Sequence, residues 1–439
     1  MVLTSRSAIA RPPAAVNVKL PLLGLLALSA AAFTDVMTDL LPAGLLPQMG
    51  AALHVPEAQI GYLVSAFAIA SAAAAIPVTA VLRRVPRRVA LSAALAGFAV
   101  FNAVTAASSS YLLTFAARLL VGAMGGALWS MLAGYAARMV PAAKRGRAIA
   151  IVLAGITIAL CAGIPAGTAL ADALGWRASF ALLAAMALLL VGWVLWKVPA
   201  FPREGAADRS RLRQVVIRPG IRSVLLVTAL LLTAHQAVYT YIAPVAAHAR
   251  FGRTSIVLLV FGAATVAGVW LTGLLADRHL RSMLCAALAL IAAAMLGLGL
   301  AAAIPVMLLA SVAAWGAAFG GAPTLLQAAL IEASGAAGAD IATSIQTTVY
   351  NVGIAAGSLA GGLVLDRAGP GALPWVAITL VAGALATVAG RRSAFPPCTG
   401  GIATVGGVRA HLCGHARVGG PENVAGCACG QATYRAIFE

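Results

Sequence analysis

Residues 20–46 read LPLLGLLALSAAAFTDVMTDLLPAGLL, and only two of them, Asp35 and Asp39, carry a charge. A helix needs roughly 20 mostly apolar residues to cross the hydrocarbon core of a bilayer. Similar apolar runs recur along the rest of the chain. We therefore predict an all-α membrane protein of twelve transmembrane helices, at residues 20–46, 58–82, 89–107, 111–138, 148–171, 178–197, 222–245, 254–276, 283–302, 304–330, 340–365 and 372–390.

The composition of the whole chain also indicates a membrane protein. Hydrophobic residues make up 62% of the 439 residues and charged residues only 10%, whereas a soluble domain is about 45–50% apolar and about 25% charged. That leaves too little polar surface to cover a water-soluble globule. The net charge of +18 comes without a basic helix interleaved with aromatic residues, so we expect no nucleic acid partner.

The positions of lysine and arginine predict the orientation, because cytoplasmic loops carry an excess of both. With the N-terminus placed in the cytoplasm, the cytoplasmic loops hold seventeen of these residues and the opposite loops hold four. We expect a multi-pass protein of the cell membrane, plasma or inner, with both termini in the cytoplasm. Arg118 remains, well inside the fourth span.

The chain repeats itself at a constant offset of 194 residues. The matched pairs are Phe67 with Phe261, Arg84 with Arg278, Gly122 with Gly316, Gly126 with Gly320, Gly163 with Gly357, Gly167 with Gly361, Asp172 with Asp366 and Gly175 with Gly369. Parallel repeats occur in transporters, where the substrate site lies near the midplane between the repeats. We therefore predict a cytoplasmic N-terminal segment at 1–19, six-helix halves at 20–197 and 222–390, a cytoplasmic linker at 198–221 and a disordered tail at 391–439.

Three charges lie inside the predicted spans, away from their ends: Asp35, Asp39 and Arg118. A charge at the middle of a bilayer costs at least about 2.5–3.5 kcal/mol, so such residues are functional candidates. The two acids lie on one face of a helix, where burial and mutual repulsion disfavour ionisation and permit proton exchange. The alternatives are that Asp35 faces water and that Arg118 satisfies backbone carbonyls.

The sequence GLLADR at residues 273–278 ends the eighth span. Gly273 would let two helices approach closely, and Asp277 with Arg278 would form a charge latch that breaks when the bundle rocks. The equivalent stretch of the first half keeps three basic residues, Arg84, Arg87 and Arg88. The alternative for both stretches is an ordinary basic loop.

These features together resemble the major facilitator superfamily. The motifs that carry the resemblance are Gly273–Arg278, Arg118-Leu-Leu-Val-Gly122 with Gly126, and Gly155 with Gly163-Ile-Pro165-Ala-Gly167, the last being typical of antiporters. The drug:proton antiporter branch, which includes chloramphenicol, sugar and purine-nucleoside exporters, is similar in Thr38-Asp39-Leu-Leu-Pro42, Gly175-Trp-Arg177 and Asn351-Val-Gly353. The resemblance implies that Asp39 carries the proton and that Arg118 acts in proton relay or gating. The first-loop motif is degraded, and the branch more often has Glu at position 39.

The fifth span carries a glycine-rich face, formed by Gly155, Gly163 and Gly167, together with Pro165. Glycine permits tight helix packing, and proline removes one backbone hydrogen bond. We expect this helix to seal the interface between the halves. Ordinary packing of small residues is the alternative.

Uncharged polar and aromatic groups within the spans are candidates for a substrate cavity, because they suit neutral, amphipathic molecules. They are Trp129, Ser130, His235, Gln236, Tyr239, Gln327, Gln346, Tyr350 and Asn351. Each could instead join two helices. The tail residues His411, Cys413, His415, Cys427 and Cys429 match no common zinc pattern, so we expect neither metal nor cofactor.

Together, the residues and the resemblance predict a secondary active transporter rather than an enzyme. It would export a small neutral or amphipathic compound, a drug such as chloramphenicol, in exchange for protons. No nucleotide-binding GxxxxGK[ST] loop is present in the sequence to use ATP. The rival within transport is a sugar or purine-nucleoside efflux permease, and outside transport a membrane-embedded enzyme or a non-transporting sensor. We expect the substrate, protons and the lipid bilayer as partners and a monomeric protein.

Overall fold

The computed structural model describes residues 20–74, 85–141, 144–201, 219–301, 304–334, 339–390, 400–405 and 408–413. Within them lie the helices α1 (Leu22–Gly44), α2 (Leu46–Leu53), α3 (Glu57–Ala74), α4 (Arg87–Ala107), α5 (Tyr111–Arg138), α6 (Arg145–Ile158), α7 (Ile164–Leu174), α8 (Trp176–Lys197), α9 (Pro219–Tyr239), α10 (Ile242–His248), α11 (Thr254–Ala301), α12 (Pro305–Ser334), α13 (Ala339–Ala368) and α14 (Leu373–Gly390). A π-helical segment, Ala159–Gly163, joins α6 to α7. A 3₁₀ turn, Pro370–Ala372, precedes α14.

Twelve helical segments in the described part of the chain are long and apolar enough to cross a membrane. The predicted all-α fold with twelve spans is therefore confirmed. One of these segments, Arg145–Leu174, runs through α6, the π segment and α7. We refer below to the first six spans and the last six spans, in chain order.

Two predicted helix boundaries differ from the structure. The seventh span was predicted to reach residue 245, but α9 ends at Tyr239 and α10 begins at Ile242. A continuous helix would need an N–H at residue 244 for the carbonyl of Thr240, and Pro244 has none. The eighth and ninth spans, Thr254–Leu275 and Leu280–Leu300, both belong to α11, in which helical conformation is continuous from Thr254 to Ala301.

The first and last six spans meet where α1 ends and α3 begins, and we call this the closed end. There α3 packs against α13, and the Ser65 hydroxyl donates a hydrogen bond to the Ala355 carbonyl at 3.2 Å. Tyr241, between α9 and α10, donates its hydroxyl to the Ser358 carbonyl at 2.7 Å and lies 3.4 Å from the Ala58 carbonyl. Backbone acceptors on both sides thus join the two sets of spans.

Beyond α14, the structure describes one antiparallel pair of strands, β1 (Gly400–Val405) and β2 (Val408–Cys413). This pairing departs from the predicted disordered tail. Ile402, Thr404, Val405 and Val408 are β-branched, which favours a strand. The side chains of this hairpin, and the rest of 391–439, lie outside the described residues.

Candidate functional site

The two acids of the first span lie one helical turn apart on α1, as predicted. Asp35 is only 8% exposed, and one carboxylate oxygen of each acid, Oδ1, is buried without a hydrogen-bond partner among the described residues. A buried polar atom without a partner is rare in a native structure and calls for an explanation. Asp35 does not face water, so that alternative fails.

Arg118, on α5, reaches across to α1 and is fully buried. Its Nη1 donates to the Thr38 carbonyl at 2.5 Å and its Nη2 to the Asp39 carbonyl at 3.0 Å. Its Nε donates to the Leu63 carbonyl at 3.4 Å, and the guanidinium lies 5.0 Å from the centre of the Phe67 ring. The hydrogen bonds described for Arg118 therefore go to carbonyls, as the alternative interpretation expected, while both acids remain within its electrostatic reach.

Two neighbours complete this acid cluster, and sequence reasoning missed both. Asn102 of α4 donates to the hydroxyl of Thr38 at 3.0 Å. Gly125 of α5 leaves room for a carboxyl group, because a Cβ there would lie 2.9 Å from Asp35 Oδ1 and 2.7 Å from Phe67 Cζ. Four helices, α1, α3, α4 and α5, thus surround the two acids.

The glycine face of the fifth span packs against α1. A Cβ on Gly155 would lie 2.0 Å from the Ser29 carbonyl oxygen, and one on Gly167 would lie 2.8 Å from Leu41 Cδ1. Gly163 faces Met37 in the same way. Because α1 belongs to the same six spans, these glycines pack the fifth span against the first. A seal between the halves formed by the fifth span stays a prediction.

The fifth span reaches the last six spans through its π segment instead. A Cβ on Gly262 of α11 would lie 2.5 Å from the Cα of Cys161 and 2.5 Å from the carbonyl oxygen of Leu160. Pro165 supplies no amide to the carbonyl of Cys161, four residues earlier, which accounts for the irregular turn. The backbone contact at Gly262 therefore joins the two sets of spans.

A cluster of five rings occupies the corresponding region of the last six spans. His235 stacks on Phe319 with ring centres 3.6 Å apart and planes 8° apart, and it lies 5.1 Å from Trp315. Tyr239 and Phe261 complete the cluster. His235 Nδ1 and Trp315 Nε1 are buried without hydrogen-bond partners among the described residues.

Sequence reasoning named two members of this aromatic cluster, His235 and Tyr239, and missed the other three. The signal was available, because His235 with Tyr239 and Trp315 with Phe319 are each four residues apart and so share a helix face. Phe261 is also the repeat partner of Phe67. The acid cluster and the aromatic cluster thus contain the two equivalent phenylalanines.

The other predicted cavity residues are dispersed. Ser130 and Gln327 are exposed, and Trp129 packs at the edge of a hydrophobic core within the first six spans. Gln236 donates to the hydroxyl of Thr240, just beyond the end of α9, and Asn351 donates to the Thr347 carbonyl within α13. Gln346 is buried with its Nε2 unpartnered among the described residues, and Tyr350 is half-buried.

The predicted gating residues are only partly described. Arg87 and Arg88 begin α4, and Arg84 lies outside the described residues. Gly273 is half-buried within α11, while the side chains of Asp277 and Arg278 are outside the described part. The charge latch stays a prediction. Among the described residues, no group of three or more His, Cys, Asp or Glu could hold a metal ion.

Comparison with known proteins decides the family. Residues 28–281 match the family described as Major Facilitator Superfamily. The chain belongs to this superfamily. It is a multi-pass membrane transporter, and its fold implies a small-molecule substrate and a lipid bilayer as surroundings.

Two curated members of the superfamily resemble this transporter along most of their length. A chloramphenicol resistance protein of Streptomyces lividans is 35% identical over 357 residues, covering 79% of this chain and 91% of that protein. The inner membrane transport protein YdhP of Escherichia coli is 33% identical over 349 residues, covering 78% of this chain and 88% of YdhP.

Solved structures of other transporters share the fold at low identity. The human organic anion transporter MFSD10 (TETRAN) aligns with a TM-score of 0.61 at 19% identity, covering 86% of this chain and 100% of MFSD10. A bacterial homologue of the human lysosomal transporter Spinster aligns with a TM-score of 0.60 at 17% identity, covering 86% and 96%. These likenesses concern the fold alone.

Proposed function

We propose that this transporter exports a small neutral or amphipathic compound from the cytoplasm in exchange for protons. The observation that carries the proposal is the acid cluster: Asp35 and Asp39 lie within electrostatic reach of the buried Arg118, and one oxygen of each carboxyl group has no hydrogen-bond partner among the described residues. An ionisable group inside the membrane marks an ion or proton pathway by default. A carboxyl group that gains and loses a proton is the chemistry that such exchange requires.

Asp39 is the proton carrier in this proposal, and Asp35 supports it. Asp39 is less enclosed than Asp35, since its side chain is half-buried whereas Asp35 is buried. It also acts electrostatically on Tyr239 of the aromatic cluster, across the interface between the two sets of spans. A substrate bound beside Tyr239 would therefore sense whether Asp39 is charged.

The aromatic cluster supplies the substrate side of the proposal. Its rings offer apolar surface, and His235 Nδ1 and Trp315 Nε1, which have no partner within the described part of the chain, offer hydrogen bonds. Pockets for small molecules combine apolar walls with a few polar groups in this manner. Chloramphenicol is the first compound to test, because a relative at 35% identity is a chloramphenicol resistance protein.

The closed end and the loop charges support a state that could begin an export cycle. The distribution of lysine and arginine favours a closed end on the outer side of the membrane and both termini in the cytoplasm. The structure would then be open to the cytoplasm, ready to take up substrate as the proton on Asp39 leaves. Rocking of the two sets of spans about the site completes the cycle, in a monomer.

Measuring export in a host that lacks its own exporters tests the proposal. Cells would be loaded with chloramphenicol, a pentose or a purine nucleoside, with and without a protonophore. We expect efflux of chloramphenicol that the protonophore abolishes. Efflux of only the pentose or nucleoside would favour a sugar or nucleoside permease.

Asp39→Asn separates proton coupling from folding. We expect this variant to reach the membrane and bind substrate but to lose export driven by the proton gradient. Asp172→Asn is the matched control, because Asp172 is exposed and accepts a hydrogen bond from Gln48 at the protein surface. Normal proton-driven export by Asp39→Asn would remove this acid from the mechanism.

A further inference from the structure

The carbonyl of Thr38 has no amide donor of its own within α1. In an α-helix, the carbonyl of residue i accepts from the N–H of residue i+4. The residue four positions after Thr38 is Pro42, which has no N–H. Helix α1 nevertheless continues through Pro42 to Gly44. The proline therefore opens an acceptor in the wall of the helix at the level of the acid cluster.

Arg118 occupies this acceptor. Its Nη1 lies 2.5 Å from the Thr38 oxygen, the shortest of its three described hydrogen bonds. The neighbouring bond, from Nη2 to the Asp39 carbonyl, fixes the other arm of the guanidinium. Because Arg118 is fully buried, it satisfies the carbonyl in place of water. The planar, forked guanidinium suits two adjacent acceptors.

We propose that Pro42 is a positioning residue for Arg118: the carbonyl that it leaves open anchors the guanidinium beside Asp39 instead of on its carboxyl group. The role of this anchor in transport rests on the proposed function. With the arginine held on backbone oxygens, Asp39 is free to take up and release a proton without breaking an ion pair.

The charged and titratable groups around this anchor are few in the described residues. Asp35 and Asp39 on α1 act on Arg118, and Tyr239 on α9 feels the charge of Asp39. Asn102 contacts Thr38 but does not titrate. A change in the position of the Arg118 guanidinium should therefore alter the protonation of Asp35 and Asp39.

Pro42→Ala tests the proposal by supplying the missing N–H. The amide of residue 42 would bond the Thr38 carbonyl, and the displaced guanidinium would bind the Asp39 carboxylate. An ion pair favours the ionised acid, so the pH profile of export should move toward acid by about one unit, equivalent to about tenfold in proton affinity. An unchanged profile in Pro42→Ala would overturn the proposal.

Replacing Pro42 with lactic acid, the ester analogue of alanine, separates the missing amide from the proline ring. Nonsense suppression with an α-hydroxy acid can introduce it, and the ester has no N–H. We expect the wild-type pH profile from the ester and the shifted profile from alanine. A shifted profile in the ester variant counts against the proposal, even should Pro42→Ala fail to fold.

Pro47→Ala is the matched control, because Pro47 lies in the first turn of α2, where an amide is not needed for a helical bond. It should keep the wild-type profile. A shift as large as that of Pro42→Ala would show that proline loss in this region acts generally, against a specific anchor.

Thermal unfolding in detergent tests the anchor without any transport. The change in melting temperature caused by Arg118→Met should differ between the two backgrounds: in the wild type it leaves the Thr38 carbonyl unpaired, and in Pro42→Ala it removes an ion pair with Asp39. Equal losses in both backgrounds would refute the anchor, whatever the substrate. Suppose that the effect of Arg118→Met on the melting temperature depends on residue 42, but export does not depend on the proton gradient. That result would support the anchor and exclude the proposed function.

Discussion

Gly122 lies directly against the backbone of Phe67: a Cβ on the glycine would be 2.4 Å from the phenylalanine carbonyl oxygen. The same contact recurs 194 residues later, where a Cβ on Gly316 would be 2.5 Å from the Phe261 carbonyl oxygen. The sequence repeat is therefore also a repeat of contacts. In both sets of six spans, a glycine of the fourth span packs against the backbone of the second span.

Adding one methyl group at this contact should destabilise the protein. We expect Gly122→Ala to lower the free energy of unfolding by about 1–3 kcal/mol, since backbone atoms cannot yield to it. A melting curve of the purified protein in detergent measures the effect. Gly192→Ala is the control, because nothing lies within 4 Å of its added Cβ. Equal melting temperatures for the two variants would contradict the contact.

A methyl group at Gly125 should damage proton coupling more than folding. Its Cβ would meet two side chains, the ring of Phe67 and the carboxyl of Asp35, and side chains can turn away. We expect Gly125→Ala to reach the membrane in normal amount and lose most proton-driven export. Gly134→Ala, on the same helix, meets only the end of Arg87 at 3.4 Å and should export normally. Full export by Gly125→Ala would argue against the position of Asp35.

A disulfide across the closed end should lock the two sets of spans together. Ser65 and Ala355 are joined by a hydrogen bond of 3.2 Å, so cysteines at both positions should form a disulfide. In a variant whose six native cysteines are replaced, we expect oxidation to block transport and a reductant to restore it. Electrophoretic mobility reports the bond. Either single cysteine alone should leave transport unaffected by oxidant, and failure of the pair to cross-link would contradict the closed end.

Trp315→Phe removes a buried N–H that has no partner among the described residues while keeping an aromatic ring. Without substrate, we expect the melting temperature to hold or rise, because an unsatisfied donor is lost. With a substrate that accepts a hydrogen bond, KM should rise by roughly fivefold, equivalent to about 1 kcal/mol. Transport kinetics and melting curves measure the two effects. An unchanged KM would exclude this nitrogen from substrate binding.

Apolar runs and buried charge were readable from the sequence, since both follow from the energetics of the bilayer. The twelve spans and the burial of Asp35 and Arg118 were predicted on that basis. What Arg118 binds was left between two alternatives. The acceptors of Arg118 depend on how α5 lies against α1. In the sequence, only Pro42, which has no N–H, indicates that the Thr38 carbonyl lacks its helical donor.

Interfaces between helices were harder to predict, because residue type does not say which neighbour a face meets. The fifth span was predicted to lie at the interface between the halves. Its Gly155 and Gly167 pack on α1, whereas the backbone at Cys161 contacts Gly262 of the last six spans. For the same reason, only two of the five rings of the aromatic cluster were predicted. His235 was identified from its polarity, whereas Trp315 and Phe319 looked like ordinary apolar residues of their helix.

The wide turn at Ala159–Gly163 sets the rotational phase of the fifth span. Gly155 and Gly163 are eight residues apart, and eight steps of about 100° would leave them about 80° out of alignment on a regular α-helix. One extra residue in the turn removes about 100°, which brings Gly155 back over Gly163 and Gly167 to within about 20°. Without that irregularity, the three glycines would point in two directions, and the first span would lose the continuous glycine surface against which it packs.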